Sequence, residues 1–128
     1  MGIPIKSYEE LRVYQVAFES AMEIYWLSRS WPSQEKFSLI DQIRRSSGSV
    51  CGNMAEAWRK RRYPAHFASK LSDSDSEAAE TEVWLNFALE CGYLDQNTYA
   101  ALRDKYNHIG GMLTKMIDNP SQWCNPKE

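Results

Sequence analysis

The sequence predicts an all-α protein, an antiparallel up-down-up-down four-helix bundle. Three observations predict it. Apolar residues recur at spacings of three and four along nearly all of the 128 residues, as they do on amphipathic helices. Each such run is bounded by helix-capping residues or by Pro and Gly, and no alternating strand pattern competes. The connections between runs are short, which makes consecutive helices fold back on one another. With no internal repeat, low-complexity segment or long linker, residues 1–128 read as one domain, long enough to bury a real core.

The first helix is expected over 8–30. Ser7-Tyr8-Glu9-Glu10 has the form of a capping box, in which the Ser7 hydroxyl and the Glu10 carboxylate each take a backbone N–H of the other residue. The stripe that follows is Leu11, Tyr14, Ala17/Phe18, Ala21, Ile24/Tyr25 and Leu27/Ser28. Trp31-Pro32 ends the helix, because the residue before a proline is pushed out of the helical region. The second helix is expected over 34–61, capped by Ser33, with Phe37, Ile40, Ile43, Ser47, Val50/Cys51, Met54 and Ala57/Trp58 on its apolar face. Its middle is small: Ser46, Ser47, Gly48, Ser49 and Gly52. Glycine costs a helix about 1 kcal/mol, so this composition points to close approach of another helix or to a local kink.

The third helix is expected over 64–91. Pro64 suits a first helical position. Phe67, Leu71, Ser74, Ala78, Thr81, Leu85 and Ala88 then form an unbroken heptad seam, and Gly92 suits the C-terminal cap. The fourth helix is expected over 96–118, capped by Asp95, with a seam of Tyr99, Leu102, Tyr106, Ile109, Leu113 and Met116. Asn119-Pro120 stops it, and 119–128 read as a loose tail.

Composition narrows the function. Net charge is -2, so any nucleic-acid site is a local patch and not a property of the whole chain. Cys51, Cys91 and Cys124 are odd in number and widely spaced, which fits free thiols in a reducing cytoplasm. No signal-length run or membrane-length apolar stretch is present, so the expected location is cytoplasmic, away from any membrane. A carboxylate di-metal site in a bundle needs Glu-x-x-His pairs. Tyr63 and Lys105 stand three residues before His66 and His108, so no metal site is expected. The sequence also has no Walker loop, no GxGxxG and no GxSxG elbow, and no cofactor and no catalysis are expected.

Charge is segregated along the chain. From Arg44 to Lys70 the cations Arg44, Arg45, Arg59, Lys60, Arg61, Arg62 and Lys70 face Glu56 alone. From Leu71 to Glu90 the acids Asp73, Asp75, Glu77, Glu80, Glu82 and Glu90 have no Lys or Arg among them. The turn between the second and third helices is therefore a basic tip. It is open to three readings: a solvated turn, a phosphate-binding patch for RNA or DNA, or a dock for an acidic protein surface. The nucleic-acid reading uses Arg45, Arg59, Lys60, Arg61, Arg62 and Lys70, with Trp58, Tyr63 and His66 available to stack on unpaired bases. Below the tip, Arg44, Asn53, Glu56 and Glu80 are expected to form a structural polar network, because an arginine partly enclosed in a bundle requires a carboxylate. The plentiful Trp and Tyr, with the small-residue stretch, also point to self-association.

Several stretches carry a family resemblance. They are Ser7-Tyr8-Glu9-Glu10-Leu11, the run Leu39-Ile40-Asp41-Gln42-Ile43-Arg44-Arg45-Ser46-Ser47, the run from Ser49 to Ala57, then Phe67, Lys70, Leu71, Ser74 and Glu80, and finally Cys91-Gly92-Tyr93-Leu94. From Ser7 to Ile117 the chain resembles the bacterial four-helix-bundle proteins encoded within 23S ribosomal RNA gene intervening sequences. That broad family takes in accessory variability proteins of diversity-generating retroelements. The resemblance implies a ring-shaped homopentamer, RNA or DNA association through a basic surface and, in the retroelement branch, a reverse transcriptase as protein partner. Two features depart from the pattern. Ala57-Trp58 stands where the family often has Gly after Ala-Glu, and this chain is slightly acidic where the retroelement proteins are strongly basic. If these functions do not transfer, a protein-docking scaffold without nucleic-acid affinity is the alternative.

Overall fold

Apolar spacing becomes four α-helices in the computed structural model, which describes residues 5–124. They are α1 (Arg12–Ser28), α2 (Leu39–Arg59), α3 (Pro64–Glu90) and α4 (Gln96–Asp118), with short 3-10 turns at Tyr8–Glu10, Ser33–Glu35 and Pro120–Gln122. No strand occurs among the described residues. Each helix packs on two others: α1 on α2 and α4, and α3 on the same pair, while α1 and α3, like α2 and α4, stay apart. The four inward stripes share one core.

The helix ends show why boundaries differ from expectation. The Ser7–Glu10 capping box forms, but it caps the 3-10 turn; the chain then extends at Leu11 (φ -68°, ψ 129°) before α1 begins. Ser33 opens a second 3-10 turn, and α2 starts only at Leu39. The expected start at 34 is thus corrected: Ser38, at φ -122° and ψ -103°, breaks the run between turn and helix. Both later helices match expectation closely. Pro64 is the first residue of α3. At its other end Gly92 takes φ +81°, and the Tyr93 and Gly92 N–H groups donate to the Ala88 and Leu89 carbonyls, 2.9 and 3.0 Å. Those two bonds make a Schellman cap. The Asp95 carboxylate accepts the Thr98 N–H at 2.7 Å and caps α4.

The α3 seam is buried at all seven expected positions, Phe67 through Ala88. Its two hydroxyls are satisfied across to α2. Ser74 Oγ donates to the Val50 carbonyl (2.7 Å) and Thr81 Oγ1 to Ser46 Oγ (2.8 Å). The small side chain of Ser46 is what lets α3 come this close. The α1 stripe needs correction. Val13, Val16, Ala17, Ser20, Ile24 and Ser28 are the buried set, while Phe18 is 49% and Tyr25 41% exposed. Phe37, expected in the α2 seam, is 86% exposed, because it precedes the helix that would have turned it inward. The expected loose tail is corrected over its described part: Trp123 and Cys124 pack against the core. Residues 125–128 lie outside the described residues.

Candidate nucleic-acid interface

The tip is built by the end of α2 and the start of α3. Lys60 leaves the helical region at φ -100° and ψ 17°, and its N–H donates to the Ala57 carbonyl. Tyr63 N–H then donates to the Lys60 carbonyl at 2.9 Å, closing the turn just before Pro64. Arg59, Lys60 and Arg62 stand exposed, and their side chains make no hydrogen bond or ion pair to any described residue. Arg61 differs from them. Its Nε donates to the Trp58 carbonyl at 2.9 Å and its guanidinium lies 3.7 Å from the Trp58 ring centroid. Arg61 and Trp123 together cover Trp58, which is 5% exposed and so offers no face to a base. Tyr63 is 55% exposed, and its ring centre lies 5.7 Å from that of exposed His66. Beside them a cleft of about 260 Å³ is lined by Lys60, Ala65, His66, Ser69, Lys70 and Asp73. Ser69 was not singled out from sequence; its position one turn after His66 is the signal that places it there.

The remaining cations are engaged within the chain. Arg45 reaches α3, where it pairs with Glu80 and, at 3.7 Å, with Glu77; Glu80 also accepts the Trp84 indole N–H at 3.3 Å. Lys70 reaches Glu56 at 3.1 Å, Asn53 Oδ1 at 3.3 Å and Asp73 at 3.9 Å. Arg44 points the other way. Its Nε donates to Ser28 Oγ at 2.9 Å, and its guanidinium lies 4.5 Å from the Tyr25 ring centroid. The expected network of Arg44, Asn53, Glu56 and Glu80 is therefore three separate links. Consecutive helical positions point about 100° apart, so Arg44 meets α1 and Arg45 meets α3. Two further ion pairs were not anticipated: Glu82–Arg103 joins α3 to α4 and Glu23–Lys105 joins α1 to α4, each at 2.9 Å. Much of the acidic stretch of α3 thus faces cations of its own chain.

Two apolar grooves flank α2. The α1–α2 groove, about 310 Å³, is lined by Tyr14, Phe18, Met22, Tyr25, Gly48 and Cys51 among others. At Gly48 and its neighbour Gly52, nothing outside their own helix turn lies within 4 Å of where a Cβ would stand, so among the described residues no packed neighbour requires their smallness. The α2–α3 groove, about 540 Å³, is lined by Leu39, Gln42, Trp84, Phe87 and Cys91, with Glu35 at its edge. Hydrogen bonds from Ser38 and then Tyr93 hold the Glu35 carboxyl below the usual carboxylate range. Burial pushes the Cys51 thiol up to about 11, so it is protonated at neutral pH and behaves as a small hydrophobe. Among the described residues no three His, Cys, Asp or Glu side chains are grouped as a metal ion requires. No described helix is long and apolar enough to cross a membrane.

Comparison with known proteins places this geometry. The family model described as 23S rRNA-intervening sequence protein matches residues 9–115, from the first 3-10 turn into the last turn of α4. A solved structure from Bacteroides thetaiotaomicron, described as a protein with unknown function from the S23 ribosomal protein family, is similar to this chain at 29% identity. The match covers 83% of this chain and 95% of that one, with a TM-score of 0.74. No curated protein matches the chain. Neither description names a reaction.

Proposed function

The chain belongs to the 23S rRNA-intervening sequence protein family, and for it we propose a non-catalytic, self-associating role in the cytoplasm, in which the α2–α3 turn engages RNA or DNA. The observation that carries this is the division of the cations. Arg44, Arg45 and Lys70 are neutralised or enclosed within the chain, whereas Arg59, Lys60 and Arg62 project from one turn with no side-chain partner among the described residues. Exposed cations with no internal partner are what a phosphate backbone neutralises, releasing its condensed counterions.

In this reading the single domain is an antiparallel up-down-up-down bundle with the basic turn at one end. The order of cross-helix partners supports that topology, since Lys70, Ser74 and Thr81 meet Asn53, Val50 and Ser46. Self-association rests on the two grooves. They are dissimilar, and they flank the same helix on opposite sides. Contacts between two unlike faces are head-to-tail, and such contacts close into a ring where the rotation between successive copies allows it. The five-fold ring implied by resemblance is the assembly we propose.

Fluorescence anisotropy with labelled RNA and DNA tests the nucleic-acid role. Affinity is expected to fall steeply with salt, and to be lost in the Arg59→Ala/Lys60→Ala/Arg62→Ala variant. No binding at low salt overturns the reading and leaves the protein-docking scaffold in its place. Light scattering that finds a monomer at micromolar concentration overturns the assembly.

A further inference from the structure

Resting on the phosphate-binding reading of the tip, we infer that it takes single-stranded nucleic acid, with a phosphate against the exposed cations Arg59, Lys60 and Arg62 and an unpaired base stacked on Tyr63. Two observations at the tip exclude a better fit to duplex. The first is the aromatic inventory. Trp58 is capped by Arg61 and Trp123, but Tyr63 is more than half exposed and has His66 as its one aromatic neighbour. An exposed aromatic face between unpaired cations is a stacking platform, and a base can reach it only when it is out of a helix.

The second observation is the charge around the turn. Around the exposed cations, Glu56 lies one turn before Lys60 on α2 and Asp73 on α3 lines the same cleft as Lys60; both are exposed, and Asp75 follows. Lys70 lies near Glu56 and Asp73, at 3.1 and 3.9 Å, and its single charge cannot neutralise both. Farther along, α3 carries no cation at all. A rigid duplex laid on the tip brings its neighbouring phosphates, one per about 1.7 Å of axis, against those carboxylates. A single strand bends away after one or two phosphates and avoids them. Pro64 holds the turn in shape, so little ordering is needed before a strand binds.

The test is equilibrium binding at one low salt concentration, using labelled oligonucleotides of equal length: single-stranded RNA, single-stranded DNA and the duplex of each. Single strands are expected to bind about tenfold or more tightly than their duplexes. Tyr63→Ala is expected to weaken single-strand binding by about ten- to a hundredfold, to leave its salt dependence intact, and to leave duplex binding unchanged. Tyr63→Phe keeps the ring and is expected to bind as the parent does. Lys60→Ala instead lowers the salt dependence, because it removes a phosphate contact. The Tyr63 ring is exposed, so thermal melting of Tyr63→Ala is expected to match the parent and any loss of binding is local. Preference for RNA or DNA identifies the sugar, and either single strand bound above its duplex upholds the inference. Duplex bound as tightly as single strand, or Tyr63→Ala without effect, overturns it while the phosphate-binding reading stands. Binding of neither form overturns that reading itself.

Discussion

Helices α3 and α1 are both amphipathic, yet only α3 wears its orientation openly. The α3 seam is a single heptad stripe, and the residues between its members are polar, small or acidic over most of its length. It has one way to sit, and all seven seam residues are buried. Helix α1 carries two apolar stripes side by side. One is aliphatic and small: Val13, Val16, Ala17, Ser20 and Ile24. The other is aromatic: Tyr14, Phe18 and Tyr25. The structure buries the first and leaves the second lining the α1–α2 groove. Periodicity locates a helix, but where two stripes compete, the volume available between neighbours decides which turns inward. The stripe that loses becomes surface with an apolar character, and on this chain it faces the unexplained gap over Gly48 and Gly52.

The largest expected effect breaks the α3 side of this contrast. Phe67 is fully buried at the head of the seam, so Phe67→Ala is expected to cost about 3–5 kcal/mol in urea unfolding. Phe18→Ala, half exposed on α1, is expected to cost about 1 kcal/mol or less in the same experiment. Equal costs would mean that the aromatic stripe is core after all. Next in size is a change of assembly rather than stability. Phe18→Glu with Met22→Glu puts charge into the α1–α2 groove, and light scattering is expected to show loss of the proposed oligomer while thermal melting of the protomer is preserved.

A third prediction concerns the polar part of the α2–α3 contact. Thr81→Val keeps shape but removes the hydroxyl that donates to Ser46 Oγ, 2.8 Å away in a fully buried setting. A loss of about 1–2 kcal/mol is expected, measured by urea unfolding. The Ser46→Ala/Thr81→Val double variant removes both hydroxyls and is expected to recover part of it, since the Ser46 hydroxyl, left in Thr81→Val with only its 3.3 Å bond to the Ile43 carbonyl, is then gone as well.

The contrast also explains what could be read before the fold was seen. Four helices, the α3 seam, the Pro64 start, the Gly92 cap and the Asp95 cap follow from spacing and from local backbone chemistry, which act over a few residues. The α2 start did not follow. Pro32-Ser33 looks like a helix entrance, but the chain makes a 3-10 turn there and breaks at Ser38, and Phe37 is stranded outside as a result. The polar links at the tip were legible as residue types and not as partners. Arg44 and Arg45 differ by one position, and that position decides between α1 and α3. Pairing of this kind depends on the rotation of α2 against both neighbours, which no local pattern encodes. Trp58 was misread as a stacking surface for the same reason, since Trp123, which covers it, lies 65 residues away in sequence.

The smallest expected effect sharpens the contrast at the helix starts. Asp95 caps α4 directly, whereas the Ser7 capping box closes only a 3-10 turn ahead of α1, and Leu11 at the start of α1 has no side-chain cap. Asp95→Ala is therefore expected to lower the melting temperature slightly, and Ser7→Ala less still. Acid separates the two further. The Thr98 backbone N–H holds the Asp95 carboxyl below the usual carboxylate range. A group whose folded value is depressed contributes stability above its unfolded value, and that contribution disappears as pH falls through the folded one. Asp95→Asn keeps a capping oxygen without titrating. Melting followed from about pH 5 down to about pH 2 is expected to show the parent losing stability relative to Asp95→Asn, with the loss concentrated at the acid end. Parallel acid limbs would mean that the carboxylate charge adds nothing to the α4 cap. The two helix starts would then differ only in geometry.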